Sequence, residues 1–123
     1  MKHREDDEQK ALIQWARAYK NDAEKIIAIP NGGKRNPREA ARLKAQGVTA
    51  GVPDLFLPVM CGGFGGLWIE LKAPKTATSP AGKPTAAQLA KLQQLSEDGY
   101  CTALCYGWVA ARDTIVGYLS QPQ

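Results

Sequence analysis

The stretch of sequence that decides the fold is GVPDLFLPVMCGGFGGLWIELK, from Gly51 to Lys72. Two hydrophobic runs flank a glycine-rich break, CGGFGG at 61–66, and this pattern is typical of the connection in a β-hairpin. Because side chains alternate along a strand, the second run has two faces. One face holds Leu67, Ile69 and Leu71, and the other holds Trp68, Glu70 and Lys72. The stretch therefore predicts a hairpin with one apolar face and one charged face.

Three charged residues mark this hairpin: Asp54 near the start of its first strand, and Glu70 and Lys72 near the end of its second. A carboxylate and an ammonium group in a hydrophobic strand are costly to bury without partners. Asp54 lies at the mouth of the paired strand, within reach of Glu70. Two acidic groups beside a lysine on a rigid hairpin are what a magnesium-dependent phosphodiesterase needs. We therefore expect the catalytic site here.

Length and composition predict one domain spanning residues 1–123. The 123 residues are 44% hydrophobic and 23% charged, which is ordinary for a globular protein with its own core. No apolar run approaches the roughly 18 to 20 residues that a membrane span requires. The first ten residues, MKHREDDEQK, are charged throughout and do not resemble a secretory signal. We expect a cytoplasmic protein without a membrane partner.

Charge and cysteine usage narrow the classes of function. The net charge of +4 and the pI of about 9.1 permit a polyanionic partner without requiring one. An odd count of three cysteines fits reduced thiols better than a disulfide framework. The one histidine, His3, lies in the N-terminal tail. Without a well-placed imidazole base, Cys-His and Ser-His-Asp catalysis are disfavoured, and a structural zinc site is too.

The remaining patterns predict an α/β fold in the order α-β-α-β-β-α-β-α, a small mixed sheet flanked by helices. Helices are predicted at 5–20, 37–46, 85–98 and 107–119, and strands at 25–30 and 100–106 beside the hairpin. Asn36 is the expected N-cap of the second helix, Pro37 its first residue, and Gly47 the glycine after its C-terminus. We expect the strand at 25–30 to be buried. The segment Ala73–Pro84 is predicted to be a mobile loop able to close over a substrate.

Two polar residues on predicted helices each allow two interpretations. Glu8 heads the apolar stripe that continues through Leu12 and Trp15, so it is either one more acidic residue of the first turn or a carboxylate directed at a metal. Gln88 follows Thr85 by three residues, which matches a capping box. Gln88 also shares a helical face with Leu92, so its side chain could instead point inward.

The densest basic stretch of the chain lies just before and within the second helix. It comprises Lys34, Arg35, Arg38, Arg42 and Lys44, and Lys75 follows in the later loop. Arg38 and Arg42 are one turn apart and share a helical face. The stretch is either a solvated surface or a patch that contacts phosphates. Because the stretch lies near a suspected phosphodiesterase site, we favour the interpretation that it contacts phosphates.

Pro53-Asp54, followed by a strand and then Glu70-Leu71-Lys72, resembles the motif of the PD-(D/E)xK nuclease superfamily. A more specific resemblance is to the VRR-NUC family, the virus-type replication–repair nucleases. The fragments that carry it span nearly the whole chain: Glu8-Gln9, Leu12–Ala16, Pro30–Gly33, Gly47, Gly51–Leu55, Trp68–Lys72, Gln88 and Tyr106-Gly107. The resemblance implies a restriction-endonuclease-like core of the compact, single-domain kind found in phages and bacteria.

The resemblance also implies a site. The ligands of a divalent metal, Mg²⁺ with Mn²⁺ as a substitute, would be Glu8, Asp54, Glu70 and the main-chain carbonyl of Leu71. Lys72 would orient or activate the attacking water and stabilise charge at the scissile phosphate, and Gln88 would hold Lys72 or the water. The implied catalytic residues are thus Asp54, Glu70, Lys72 and Gln88. The DNA-binding residues that we add to them are Lys34, Arg35, Arg38, Arg42 and Lys75.

The implied activity is metal-dependent hydrolysis of phosphodiester bonds in branched DNA. The resemblance to compact members of the family implies a homodimer that resolves four-way (Holliday) junctions. It would act in the cytoplasm of a bacterium or of a phage-infected host. Two alternatives stay open. One is a catalytically silent nucleic-acid-binding module, and the other is a sequence-specific restriction-type endonuclease.

Overall fold

The computed structural model of the chain describes residues 2–30 and 36–122, with side chains from residue 4 onward. Its helices are α1 (Lys2–Tyr19), α2 (Pro37–Ala45), α3 (Ala86–Glu97) and α4 (Trp108–Leu119). Its strands are β1 (Ile27–Ala28), β2 (Leu55–Leu57), β3 (Leu67–Lys72) and β4 (Cys101–Tyr106). A 3-10 turn, Ala23–Lys25, follows α1. The predicted order of helices and strands is confirmed.

The four strands form one mixed sheet in the order β1-β2-β3-β4. β1 and β2 are antiparallel, β2 and β3 are antiparallel, and β3 and β4 are parallel. The parallel pair is connected through α3, as a parallel connection requires a crossover. The predicted α/β class, a small mixed sheet flanked by helices, is therefore confirmed.

The predicted hairpin is β2 and β3, and its glycine-rich break contains a tight turn. Cys61 and Phe64 form an isolated antiparallel bridge and exchange both main-chain hydrogen bonds, at 3.2 and 2.9 Å. The two residues between them, Gly62 and Gly63, have φ values of +60° and +85°. Glycine adopts this left-handed region without the penalty of a Cβ atom, which explains the glycines at the tip.

The apolar face of β3 lies in the core. Leu67, Ile69 and Leu71 are buried, as predicted, in one cluster with residues of α1 and α4. Leu12 and Ile115 are the large fully buried residues of those two helices. α3 contacts β3 and β4, and its buried residue Leu92 lies outside this cluster. We therefore place α3 on the opposite face of the sheet, the face of Glu70 and Lys72.

The prediction of a buried strand at 25–30 is wrong in both length and burial. β1 has two residues, both exposed, and Ile27 is 48% accessible. The apolar run KIIAIP lies at the edge of the sheet, where β1 pairs with β2. The hydrophobic run does predict a strand correctly. That strand is exposed because it lies at the edge of the sheet. The turn expected at 31–33 lies outside the described residues.

The predicted helix caps are confirmed. The Asn36 side chain accepts a hydrogen bond from the Glu39 N–H at 2.8 Å, Pro37 is the first residue of α2, and Gly47, with φ of +98°, follows its C-terminus. The segment from Ala73 to Pro84 has neither helix nor strand, as predicted. In the described ranges, no helix combines the length and the apolar character needed to cross a bilayer.

Candidate active site

The hairpin brings Asp54 and Glu70 together. Asp54 immediately precedes β2, and the pairing of Leu55 with Ile69 places it opposite Glu70. The Asp54 carboxylate accepts a hydrogen bond from the Leu71 N–H at 2.9 Å. Its main-chain carbonyl accepts another from the Ile29 N–H at 2.8 Å. Asp54 is therefore fixed from two directions, through its backbone by Ile29, the residue that follows β1, and through its side chain by β3.

Glu70 and Lys72 form a buried charged pair on β3. Their side chains project from the same face of the strand, and the residues are 1% and 7% accessible. The Lys72 Nζ lies 3.5 Å from the Glu70 Oε2. The other carboxyl oxygen, Oε1, is buried without a hydrogen-bond partner among the described residues. The hairpin thus holds a buried carboxyl oxygen that accepts no hydrogen bond from the described residues.

The surroundings of Glu70 disfavour its negative charge. Burial raises the pKa of Glu70 to about 8, with further upward contributions from the charge of Asp54 and a hydrogen bond to it. The nearby Lys72 ammonium acts in the opposite direction but does not cancel these effects. Without a cation, Glu70 therefore retains its proton at neutral pH. A divalent cation, which prefers carboxylate oxygens, would take the place of that proton.

The residues present fit such a cation in part. Asp54 and Glu70 supply two neighbouring carboxyl groups, and the unpartnered Oε1 supplies an oxygen without a competing hydrogen bond. Within the described ranges, however, no group of three or more His, Cys, Asp or Glu side chains lies close enough to hold a metal. The structure therefore provides a carboxylate pair to which a third side-chain ligand would have to move.

Glu8 lies near the site but binds the N-terminus of α4 and not the carboxyl groups of Asp54 and Glu70 in the contacts described. Its Oε1 accepts a hydrogen bond from the N–H of Trp108, the first residue of α4, at 2.8 Å. The preceding residue, Gly107, donates its N–H to the Lys72 carbonyl at 2.9 Å. Glu8 is thus at the N-terminus of α4, where a negative charge is favourable, next to the end of β3. Its role as a metal ligand stays a prediction.

Gln88 takes part in a complete capping box. Its N–H donates to the Thr85 hydroxyl at 3.1 Å, and its side-chain Oε1 accepts from the Thr85 N–H at 2.8 Å. The capping interpretation is therefore confirmed. Gln88 also lines a groove of about 670 Å³ together with α2 and residues 47–52, which lead into Asp54. Its catalytic role stays a prediction.

The candidate DNA-binding residues lie on exposed surfaces. Arg38 and Arg42 are on α2, which has no buried residue. Lys75 is exposed in the loop after β3. Lys34 and Arg35 are outside the described residues. These positions are compatible with contact to a polyanion, and that contact stays a prediction.

One residue near the site has no signal in the sequence pattern. Arg4, on the first turn of α1, donates to the main-chain carbonyls of Pro74 and Pro80. These carbonyls belong to the loop that follows Lys72 directly. Contacts between residues so far apart in the chain have no periodicity or spacing by which they could have been predicted.

A solved protein structure is similar to this chain over nearly its full length. No family model and no curated protein matches the chain. A solved structure described as a "VRR_NUC domain protein" matches it with a TM-score of 0.81 and 28% sequence identity. The match covers 97% of this chain and 90% of that chain. The similarity therefore extends over the whole fold of both proteins and not over an isolated motif.

The fold, the paired carboxyl groups and this match agree with one another. The four-stranded mixed sheet with flanking helices is a restriction-endonuclease-like fold. Asp54, Glu70 and Lys72 lie together on its central hairpin, as the Pro-Asp and Glu-x-Lys motif predicts. Together with the structural match over nearly its full length, they support the similarity of the chain to VRR-NUC nuclease domains.

Proposed function

We propose that the protein is a metal-dependent, structure-selective DNA endonuclease that hydrolyses phosphodiester bonds in branched DNA, and that it resolves four-way junctions as a homodimer. The observation that carries the proposal is the buried carboxyl group of Glu70, which lies beside Asp54 and Lys72 with one oxygen unpartnered in the described structure. A cation at this point would replace the proton on Glu70 and offset the negative charge that the carboxyl groups then carry, which is otherwise costly to bury.

The residues that would hold the ion are Asp54, Glu70, the main-chain carbonyl of Leu71 and Glu8. Hard oxygen ligands of this kind favour Mg²⁺, with Mn²⁺ as a substitute. When bound, such an ion lowers the pKa of water at the site and offsets negative charge on the phosphate. For Glu8 to join the set, its carboxylate must release or share the Trp108 N–H, to which it is bound at 2.8 Å.

Lys72 would act on the attacking water and on the charge that develops at the phosphate. Its ammonium group is held in a buried position 3.5 Å from the Glu70 carboxylate, which limits its freedom before the reaction. A preorganised cation of this kind stabilises the transition state more than the bound substrate. Loss of Lys72 should therefore reduce turnover more than DNA binding.

Gln88 would have a narrower role than Lys72. Its Oε1 is held by the Thr85 N–H, so its Nε2 group is the one that would donate a hydrogen bond to the water or the phosphate. DNA would reach the site through contacts with the basic residues Lys34, Arg35, Arg38, Arg42 and Lys75. A homodimer would present two such sites, which suits symmetric cutting of two strands at a junction.

The test is cleavage of three labelled DNAs, a four-way junction, a flap and a plain duplex, with Mg²⁺, Mn²⁺ or a chelator. Wild type is compared with Asp54→Ala and Lys72→Ala, and with the matched controls Asp98→Ala and Lys10→Ala at exposed positions. We expect cutting near the branch by wild type and both controls, and a loss of about 100-fold or more in the two site variants.

Each failure has a distinct meaning. Equal cutting by wild type, Asp54→Ala and Lys72→Ala would refute the site. Cutting at a fixed sequence, irrespective of the branch, would favour a restriction-type enzyme. Salt-sensitive DNA binding without cutting of any substrate would favour a silent binding module.

A further inference from the structure

The loop that follows the catalytic strand is fastened at two points by one side chain. The guanidinium group of Arg4 donates to the Pro74 carbonyl through Nη2 and to the Pro80 carbonyl through Nη1, the latter at 3.2 Å. The two acceptors lie on opposite limbs of the loop. The planar fork of an arginine suits two simultaneous acceptors, which a lysine ammonium on its flexible chain matches less well.

The same loop is closed at its base and in its interior. The Gly82 N–H donates to the Ala73 carbonyl at 2.9 Å, which brings the end of the loop back to its first residue. Nearer the tip, the Thr76 N–H donates to the Ser79 carbonyl, also at 2.9 Å. We name this segment, Ala73 to Gly82, the return loop. It starts directly after Lys72 and ends beside it.

The end of the return loop lies close to the stem of the Lys72 side chain. A Cβ atom added to Gly82 would lie 3.3 Å from the Lys72 Cβ and 2.9 Å from a carboxylate oxygen of Glu5. The backbone at Gly82 is therefore enclosed between the stem of Lys72 and the first turn of α1. If the return loop moved away from α1, Lys72 would lose one of the walls that limit its rotamers.

The start of the return loop supports Lys72 from the other direction. A Cβ atom added to Gly107 would lie 3.3 Å from the Pro74 side chain, so the Pro74 ring lies next to Gly107. The Gly107 N–H donates to the Lys72 carbonyl at 2.9 Å. Pro74, which Arg4 holds through its carbonyl, thus packs on the residue that fixes the main chain of Lys72.

We propose that Arg4 is a positioning residue: by fastening both limbs of the return loop to α1, it holds the loop against Lys72 and fixes the Lys72 ammonium beside Glu70. The inference rests on the proposed function, since it takes Lys72 to be the catalytic lysine. It predicts that Arg4 affects the rate of cleavage and the accessibility of Lys72, but not the affinity for DNA.

The test compares wild type, Arg4→Gln and Arg4→Lys with the matched control Arg17→Gln, which removes one positive charge from an exposed position of the same helix. Three quantities are measured: the single-turnover cleavage rate, the DNA dissociation constant at several salt concentrations, and the rate at which an amine-acylating reagent modifies Lys72, followed by mass spectrometry with Lys10 as the internal reference.

We expect Arg4→Gln to reduce the single-turnover rate by about 10- to 100-fold, because small displacements of a catalytic group are costly. Arg4→Lys should fall between Arg4→Gln and wild type. Acylation of Lys72 relative to Lys10 should increase in Arg4→Gln and stay at the wild-type level in Arg17→Gln. The dissociation constant and its salt dependence should be equal in Arg4→Gln and Arg17→Gln.

Two results would overturn the inference. One is an Arg4→Gln variant whose cleavage rate and Lys72 acylation equal those of Arg17→Gln. The other is weaker DNA binding with a reduced salt dependence and an unchanged single-turnover rate, which would make Arg4 a phosphate contact. If wild type cuts no DNA, the proposed function fails, while Lys72 acylation still decides whether Arg4 holds the loop. Should Arg4→Gln not fold, Arg4→Lys carries the same comparison.

Discussion

At the scale of single residues, Glu70 is the group whose chemistry changes most on folding. Its folded-state pKa of about 8 exceeds the ordinary value of 4.5 because the group is buried beside Asp54. In the metal-free protein its contribution to stability is therefore fully present below about pH 4.5 and is lost as the pH rises through 8. The free energy of unfolding should fall between pH 6 and pH 9.

Chemical unfolding in the presence of a chelator measures this effect. The decrease in the free energy of unfolding from pH 6 to pH 9 should be smaller in Glu70→Gln, since a glutamine does not titrate. Mg²⁺ should reduce the decrease in wild type, because the ion replaces the proton as the pH rises. Identical pH dependence in wild type and Glu70→Gln would show that Glu70 does not titrate in this range.

Two substitutions of Gln88 can distinguish its role in capping α3 from a role in catalysis. Gln88→Glu keeps an oxygen that accepts from the Thr85 N–H, so the capping box and the melting temperature should be preserved. It removes the amide donor, so turnover should decrease. Gln88→Ala should reduce turnover as well and, in addition, cost about 1 kcal/mol of stability. Full activity in Gln88→Glu would limit Gln88 to its structural role.

How far the site could be predicted depends on the range of each contact. Asp54, Glu70 and Lys72 come together through a hairpin, and alternation along a strand is enough to predict their common face. The capping bond of Gln88 is local and was also foreseeable. The bond from Glu8 to Trp108 and the bonds from Arg4 to the return loop join distant parts of the chain. They depend on how α1 packs, which no local pattern specifies.

At the scale of elements, the tip of the β2–β3 hairpin offers a prediction with a matched control. Gly63 has φ of +85° and no atom within 4 Å of an added Cβ, so Gly63→Ala adds strain without a clash. It should cost about 1–2 kcal/mol of stability. Gly117, inside α4 and likewise free of neighbours, should gain about 0.5–1 kcal/mol when replaced by alanine. Thermal unfolding of both variants measures the two opposite shifts, and a stabilised Gly63→Ala would contradict the assigned turn.

The elements also show where a hydrophobic run misleads. KIIAIP and the run that contains β2 are similar in composition, yet β1 is exposed and two of the three residues of β2 are buried. The difference is their place in the sheet. β2 lies between β1 and β3, whereas β1 is an edge strand of the sheet. Strand order is set by the complete packing arrangement, so it was accessible from the sequence only through the family resemblance.

At the scale of the whole molecule, the question is how a duplex or junction approaches the hairpin. α2 is exposed along its length and carries Arg38 and Arg42 one turn apart. If these residues contact phosphates, Arg38→Gln and Arg42→Gln should each weaken binding of junction and duplex alike and reduce the slope of log K against log[salt] by about 1. Fluorescence anisotropy over a salt series measures this slope, with Arg17→Gln as the control. Slopes equal to that of the control would remove α2 from the DNA-binding surface.

The measurement that tests the central claim most directly is the single-turnover rate of four-way junction cleavage as a function of Mg²⁺ concentration, in wild type and in Asp54→Asn. Wild type should show no cleavage in chelator and a rate that rises with Mg²⁺ to saturation. Asp54→Asn, which keeps the shape of the side chain but removes its charge, should remain at least about 100-fold slower at every concentration. Cleavage by wild type in chelator, or equal rates in the two proteins, would contradict the account of a metal-dependent site at this hairpin.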